Sequence, residues 1–219
     1  MDSGVQPAKA FVFKSMVTVS ETNSRTAEAI RALRTHVMAR HVNEGHRALA
    51  ICSASRGNGS TFVATNLAVA LSQIGVNTLL LDADLRSPGV ADAFGYKNPK
   101  SDLRTALSSP INFNDCIERN ILPGLSVLFS AGSAGNAQEL LASGRFKSLM
   151  DFCLREFDAT IVDTAPANRY SDARRVATVV GYALIVAQRN KSHINDIKVL
   201  AEHLRGDHAT VIGTVLNEA

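Results

Sequence analysis

Long apolar runs are absent from this 219-residue sequence: nowhere do roughly 18 apolar residues follow one another, so no segment reads as a membrane-spanning helix. An excess of one charge sign is missing too. Lys and Arg number 23 against 20 Asp and Glu, and the basic residues are scattered, which argues against a nucleic-acid or anionic-membrane surface. Cysteine is scarce: Cys52, Cys116 and Cys153 show no paired spacing, and any disulfide scheme leaves one over. Cys52 ends an apolar run and Cys153 falls in a helical pattern, where cysteine serves as a small buried hydrophobe. The expectation is a reducing, cytoplasmic compartment. The six histidines have no zinc-ligand spacing, and no Ser/His/Asp or Cys/His arrangement can be argued from their order. The opening MDSGVQPAKAFVF lacks the charged-then-apolar layout of a secretion signal, so membrane contact is expected only through a partner.

What is present is a chain with 46% hydrophobic residues, enough to bury one sizeable core. From position 46 onward, short aliphatic runs alternate with helical patterns. Strands are expected at 48–53, 78–82, 125–130, 160–163, 182–187 and 210–216, with helices starting near Ser60, Asn136, Gly144, Ser171 and Ser192. Runs such as TLLLD and ALIVA read as continuous apolar segments apart from the end residues of the first, as suits a parallel sheet covered on both faces. The fold class expected is α/β: a doubly wound, mostly parallel sheet with helices on both faces. Residues 1–23 read as an irregular, flexible arm and 24–219 as a single domain, with a helix over 24–41 ahead of the first strand. The stretch 87–122 reads as a loop-rich crossover.

The segment SASRGNGSTFVATNLA, beginning at Ser53, has the outline of a phosphate-binding loop entering a helix. Such a loop reads GxxxxGK[ST]: backbone N–H groups wrap the phosphates, Lys reaches the β- and γ-phosphates, and the hydroxyl binds Mg²⁺. Gly57, Gly59 and Thr61 stand in frame, but Ala54 replaces the first Gly and Ser60 the Lys. The nucleotide-binding candidates are Ser55, Arg56, Gly57, Asn58, Gly59, Ser60 and Thr61.

Two more segments converge on that loop if the sheet is parallel, because ligands bind at the carboxyl ends of its strands. In LLLDADLRSP, Asp82 and Asp84 leave the end of one strand; in ATIVDTAP, Asp163 ends another. Mg²⁺ is a hard cation that keeps much of its water and takes one or two carboxylates. Thr61, Asp82, Asp84 and Asp163 are therefore the metal candidates. Asp82 and Asp84, two apart on an extended segment, point to one side; in an active enzyme one of them takes the proton of an attacking hydroxyl. A strand-end Asp that merely caps its turn is the plainer alternative for Asp163.

With these motifs in order, the sequence resembles the bacterial tyrosine kinases of capsule and exopolysaccharide assembly. LLLDADLR looks like that family's Walker A′ motif and IVDTAP like its Walker B; AQELLASGRFKSLMDF and VIGTVLN also follow the family pattern. The similarity runs from about Ser24 onward. It implies a P-loop nucleotide site of the MinD/ParA type, binding ATP or ADP with Mg²⁺. It also implies a membrane-embedded chain-length-determining co-polymerase as partner, and recruitment to the inner face of the cytoplasmic membrane. TAEAIRALRTHV resembles the family's E-x₂-R-x₂-R helix, which contacts a neighbouring subunit in ring-forming members. Glu28, Arg31 and Arg34 are thus the oligomer-interface candidates. Their spacing places them on one helical face, where an intramolecularly paired, solvated stripe is the alternative.

Two departures stand out. The family's Lys is Ser60, and the chain ends at LNEA without the tyrosine-rich tail; its tyrosines, Tyr96, Tyr170 and Tyr182, are dispersed. Losing one charge-assisted hydrogen bond to a phosphate costs about 1.5–3 kcal/mol, roughly 10- to 150-fold in affinity. Backbone amides and the helix N-terminus remain, so weakened nucleotide binding is compatible with the loop. Phosphoryl transfer suffers more, because the cation also offsets charge developing on the transferring group. Arg56, or a basic group from the partner's cytoplasmic tail, is a candidate stand-in. The leading expectation is a regulator of polysaccharide assembly with weakened or absent autokinase activity. An active tyrosine kinase acting in trans is the alternative. A partition-type ATPase ranks last, since its signature Lys position reads Ser55.

Overall fold

Strands that are apolar at every position need cover on both faces, and the fold supplies it. The structure, a computed structural model, describes residues 16–96, 99 and 101–218. Among these, seven strands form one sheet: β1 (Ala48–Ser53), β2 (Thr78–Asp82), β3 (Glu118–Leu122), β4 (Leu125–Leu128), β5 (Ala159–Asp163), β6 (Tyr182–Gln188) and β7 (Thr210–Asn217). Their order is β3-β4-β2-β5-β1-β6-β7. Every neighbouring pair is parallel except β3 with β4. The α/β architecture expected from the alternating runs is present.

Successive residues of β1 serve opposite faces. Ala48, Ala50 and Cys52 join a core with Phe146, Leu149 and Cys153 of α7 (Gly144–Glu156), Val176 of α8 (Asp172–Val180) and Leu200 and Leu204 of α9 (Ile194–Gly206). Leu49 and Ile51 join the other core, with Leu67 and Leu71 of α3 (Ser60–Ser72), Val37 of α2 (Arg25–Arg40), and Phe94 and Phe129. Helix α3 lies between the sheet and α2, which explains why it is buried from Val63 to Ser72. The three cysteines are free and buried, as the apolar settings of Cys52 and Cys153 suggested for those two. Burial pushes the Cys52 and Cys153 thiols up to about 12.

The structure differs from the sequence expectations at three places. The crossover read as loop-rich holds short helices at Val90–Ala93 and Leu103–Ser108 and the antiparallel edge strand β3. The strand expected at 125–130 ends at Leu128, and Ser130 instead donates its hydroxyl to the Asp82 carbonyl at 2.7 Å. Within the expected irregular arm, Val17–Ser20 is a helical turn (α1), packed on α2 and α3. The arm's residues 1–15 lie outside the described residues. Met16 is fully buried in the α3-side core, and Gln73 Nε2 donates to the Thr18 carbonyl at 3.1 Å. An apolar anchor and a hydrogen bond to α3 are what fix the turn. Met16→Ala is expected to destabilise the protein by about 2–4 kcal/mol, read from the midpoint of urea unfolding.

A buried histidine sits at the far end of β1. His41, the C-cap of α2, holds the Ala48 carbonyl through Nε2 at 3.0 Å and meets the Tyr182 ring edge-on at 4.8 Å. Its Nδ1 has no partner among the described residues. Burial lowers its pKa below the ordinary 6.5. The unfolded chain therefore binds the proton more readily, and this site's stability is fully present above about pH 6.5 and lost as pH falls through the folded value. Unfolding curves at pH 7.5 and 5.0 should show wild type losing more stability on acidification than His41→Gln.

Candidate functional site

Parallel strands aim their carboxyl ends at one edge of the sheet, and the chemically loaded loops gather there. The loop after β1 turns through Gly57 (φ 76°) and Gly59 (φ 85°), left-handed conformations that suit glycine, before α3 begins at Ser60. It is tied to the loop after β5: Ala167 N–H donates to the Ser53 carbonyl and Asn168 N–H to that of Ala54, both at 2.9 Å. Within the cleft between them, the Thr61 hydroxyl donates to Asp163 Oδ2 at 2.6 Å.

The three carboxylates are not equivalent. Asp82 is fully buried; its Oδ1 accepts from Asp84 N–H at 3.2 Å and its Oδ2 from Val90 N–H at 3.1 Å. Asp84 lines the cleft, with Oδ1 accepting from the N–H groups of Arg86 and Ser87 at 3.0 and 2.9 Å. Asp163 is fully buried, and its Oδ1 has no partner among the described residues. The same-side expectation for Asp82 and Asp84 is thus refined: Asp84 faces the cleft, while Asp82 braces the turn beneath it. Burial, then Asp163's charge, pushes Asp82 well above the usual carboxylate range. Burial likewise pushes Asp163 up, against the Thr61 hydrogen bond and with a further upward push from Asp84.

Among the described residues no cluster of three or more His, Cys, Asp or Glu could cage a metal alone. Mg²⁺ does not need one, because phosphates and waters complete its octahedron. Two observations fit a hydrated cation with a polyphosphate here. The Asp163 Oδ1 and both polar atoms of the Asn58 amide are buried and have no hydrogen-bond partner among the described residues. Buried polar atoms of this kind call for a ligand or its water. Thr61, Asp163 and Asp84 are the side chains that would hold such a cation, and residues 55–60 the backbone that would surround phosphate.

The cleft has a volume of about 270 Å³. Beyond the anticipated Arg56, Gly57, Gly59, Ser60, Thr61 and Asp84, its walls include Arg86, Thr164, Arg169 and Tyr170. Arg86 Nε donates to Asp172 Oδ2 at 2.9 Å, and its guanidinium lies 4.5 Å from the Tyr170 ring centroid. The N-cap Ser171 makes no side-chain capping bond; Asp172 instead serves Arg86. Sequence reasoning missed Lys191 and Asn217. Lys191 Nζ donates to the Gly57 carbonyl at 2.9 Å and Asn217 Nδ2 to that of Asn58 at 3.2 Å. The carboxyl-end rule, extended to β6 and β7, was the signal that points to them.

On α2, the Glu28–Arg31–Arg34 stripe is paired within the chain. Arg31 Nη1 donates to Glu28 Oε2 at 2.9 Å, Arg31 Nη2 to the Thr22 carbonyl, and Arg34 Nη1 reaches the Ala70 carbonyl at 3.4 Å.

The ParA family model, described as the NUBPL iron-transfer P-loop NTPase, matches residues 45–217. The chain belongs to this P-loop NTPase family. Within these P-loop NTPases its relatives are named as bacterial tyrosine kinases, in agreement with the motifs. A Staphylococcus aureus protein named for a tyrosine-protein kinase, CapB, is 28% identical over 195 residues, which are 89% of this chain and 85% of that protein. A Ralstonia solanacearum protein likewise named for a tyrosine-protein kinase, EpsB, is 30% identical over 190 residues, 87% of this chain. The chain spans only 25% of the length of EpsB. The crystal structure of the chimerical protein CapA2B2 superposes with a TM-score of 0.86 at 28% identity, covering 94% of this chain and 91% of that one.

Three buried acids without a cation repel one another, which gives a direct test in this P-loop NTPase. The raised folded pKa values mean that the cost is absent at low pH and grows as pH rises above the ordinary carboxylate value of about 3.8. In divalent-free buffer, Asp163→Asn should raise the melting temperature by about 2–6 °C at pH 8 and by much less at pH 5. The same variant should lose the stabilisation that Mg²⁺ with nucleotide gives wild type.

Proposed function

We propose that this P-loop NTPase is a tyrosine-kinase-like, nucleotide-site protein that regulates capsule or exopolysaccharide assembly through a membrane co-polymerase, with weakened or absent autokinase activity. The observation that carries this is a cleft complete in its loop, hydroxyl and acids, with Ser60 where the phosphate-binding cation belongs. Backbone amides of residues 55–60 and the N-terminus of α3 grip the polyphosphate. Thr61 and Asp163 hold the metal side of the site, and Asp84 faces the reacting end. Bound Mg²⁺ supplies charge neutralisation across the phosphates.

Binding and transfer respond differently to Ser60. A bound polyphosphate keeps its amide contacts and its metal, so affinity falls by one interaction. Transfer also loses the cation that offsets charge arising on the moving phosphoryl group. Nucleotide state then acts as a conformational signal, passed to the partner by a chain recruited from the cytoplasm to the membrane's inner face. The names of the relatives support the pathway, and the chain's own Glu28–Arg31–Arg34 stripe is the surface a homo-oligomer would use after exchanging its internal pairs for cross-subunit ones.

A second reading, an active kinase acting in trans, is favoured by one feature: Arg56 and Arg169 both line the cleft, so positive charge is not absent from its walls. Asp84 is then the base. Radiolabel transfer to an added protein substrate that disappears in Asp84→Asn would establish it.

Calorimetric titration decides between a live and a dead cleft. ADP with Mg²⁺ should bind wild type weakly and Ser60→Lys about 10- to 150-fold more tightly. Adding the partner's cytoplasmic tail should strengthen binding to wild type. No heat at millimolar nucleotide, with or without the tail, overturns the nucleotide site. Robust autophosphorylation by the isolated chain overturns the regulator reading.

A further inference from the structure

The phosphate loop of this chain carries a lysine, but the lysine comes from elsewhere. Lys191 lies in the turn between β6 and α9, and that turn is held firmly. Gln188 N–H donates to the Ser192 hydroxyl at 2.8 Å, Ser192 N–H returns to the Gln188 carbonyl at 2.9 Å, and Asn190 takes a left-handed conformation (φ 59°). Because β6 is the direct neighbour of β1, the turn stands beside the loop that leaves β1. The Lys191 ammonium is 2.9 Å from the Gly57 carbonyl. It also fills the space where a side chain at 57 would begin: a Cβ built on Gly57 would lie 2.5 Å from Nζ. Glycine at 57 suits the left-handed φ, and a side chain there would displace the ammonium.

The chemistry of the peptide unit gives this contact a direction. The Gly57 C=O and the Asn58 N–H belong to one trans peptide plane, in which oxygen and hydrogen point opposite ways. A positive charge bound at the oxygen draws electron density from the unit and makes the N–H on its other side a stronger donor. The next carbonyl, of Asn58, is held in the same manner by the Asn217 amide. Two successive carbonyls of the loop are therefore fixed by donors from the β6–α9 turn and the end of β7. Only the first of those donors is charged. Lys191 is exposed, and no carboxylate neutralises it within ion-pair distance among the described residues.

We infer that Lys191 is the positioning residue of the nucleotide site: acting through the Gly57 carbonyl, it gives the loop the positive charge that Ser60 lacks, from outside the phosphate rather than beside it. The inference rests on the nucleotide reading above and goes beyond it by assigning the cation to this chain. A polyphosphate is the ligand class it serves, and a neutral ligand should be indifferent to it.

The test is a double-mutant cycle on the full chain, with ADP and Mg²⁺ as the probe and calorimetry as the readout. In the wild-type background Lys191→Ala should weaken binding about ten-fold. In the Ser60→Lys background, where a cation has been restored inside the loop, the same change should cost under about three-fold. Lys191→Arg should retain affinity, whereas Lys191→Gln, which keeps a donor without charge, should behave like Lys191→Ala. Thermal melts of each variant establish that all are folded. Equal losses in both backgrounds, or full affinity in Lys191→Gln, would reduce Lys191 to a structural prop and overturn the inference. Unaltered affinity in Lys191→Ala would overturn it while leaving the nucleotide reading intact. Binding by Ser60→Lys but not by wild type would overturn both.

Discussion

One short hydrogen bond organises this edge of the molecule: Thr61 Oγ1 to Asp163 Oδ2, at 2.6 Å and spanning 102 residues of sequence. It joins the first turn of α3 to the tip of β5, so the loop between β1 and α3 cannot move without pulling on the centre of the sheet. Both partners sit on buried elements. β5 is paired on both sides, by β1 and β2, and α3 is enclosed between sheet and α2. The stitches from Ala167 and Asn168 to the Ser53 and Ala54 carbonyls extend the same coupling to the rest of the cleft. A ligand competing for the Thr61 hydroxyl or the second Asp163 oxygen would therefore be felt along β5.

The site's electrostatics are lopsided. Asp82 and Asp163 are fully buried and Asp84 nearly so, while the position that usually carries the balancing ammonium holds a hydroxyl. Positive groups surround this core at a remove. Arg56 and Arg169 are on the walls, Arg86 is committed to the buried Asp172, and Lys191 stands on the outer side of the loop. A charge outside the loop acts at longer range and through an intervening peptide, so it contributes less than one in contact with phosphate.

The sheet and the three motif segments were legible in the sequence because each rests on local information. TLLLD and TIVD are apolar between their end residues, and strands buried on both faces must be; the Gly57 and Gly59 turn follows from the spacing alone. What was not legible depends on distant partners. β3 is written ERNIL, with exposed polar residues and a left-handed Asn120, and becomes a strand only because β4 offers it an edge. Met16–Ser20 gains its helical turn from the pocket that α3 provides. Asp82 and Asp84 carry the same chemistry in sequence, and only the Val90 amide and the cleft wall separate a brace from a ligand. Lys191 lies 134 residues from Gly57, and nothing local says that β6, not another strand, is β1's neighbour.

That last dependence bears on how the proposed nucleotide site would hold a polyphosphate with Ser60 in the lysine position. A loop lysine works alone, because it reaches the phosphates directly and needs no help from strand order. A cation supplied by a neighbouring turn works only while β6 is packed on β1 and the turn keeps its Ser192 and Asn190 geometry. Affinity for a polyphosphate then becomes conditional on tertiary structure, at a place where β7 and the Arg189–Glu218 pair, linked at 3.0 Å, lie at the sheet's exposed edge. A partner that grips that edge would adjust the loop's charge by moving the turn, without touching the nucleotide.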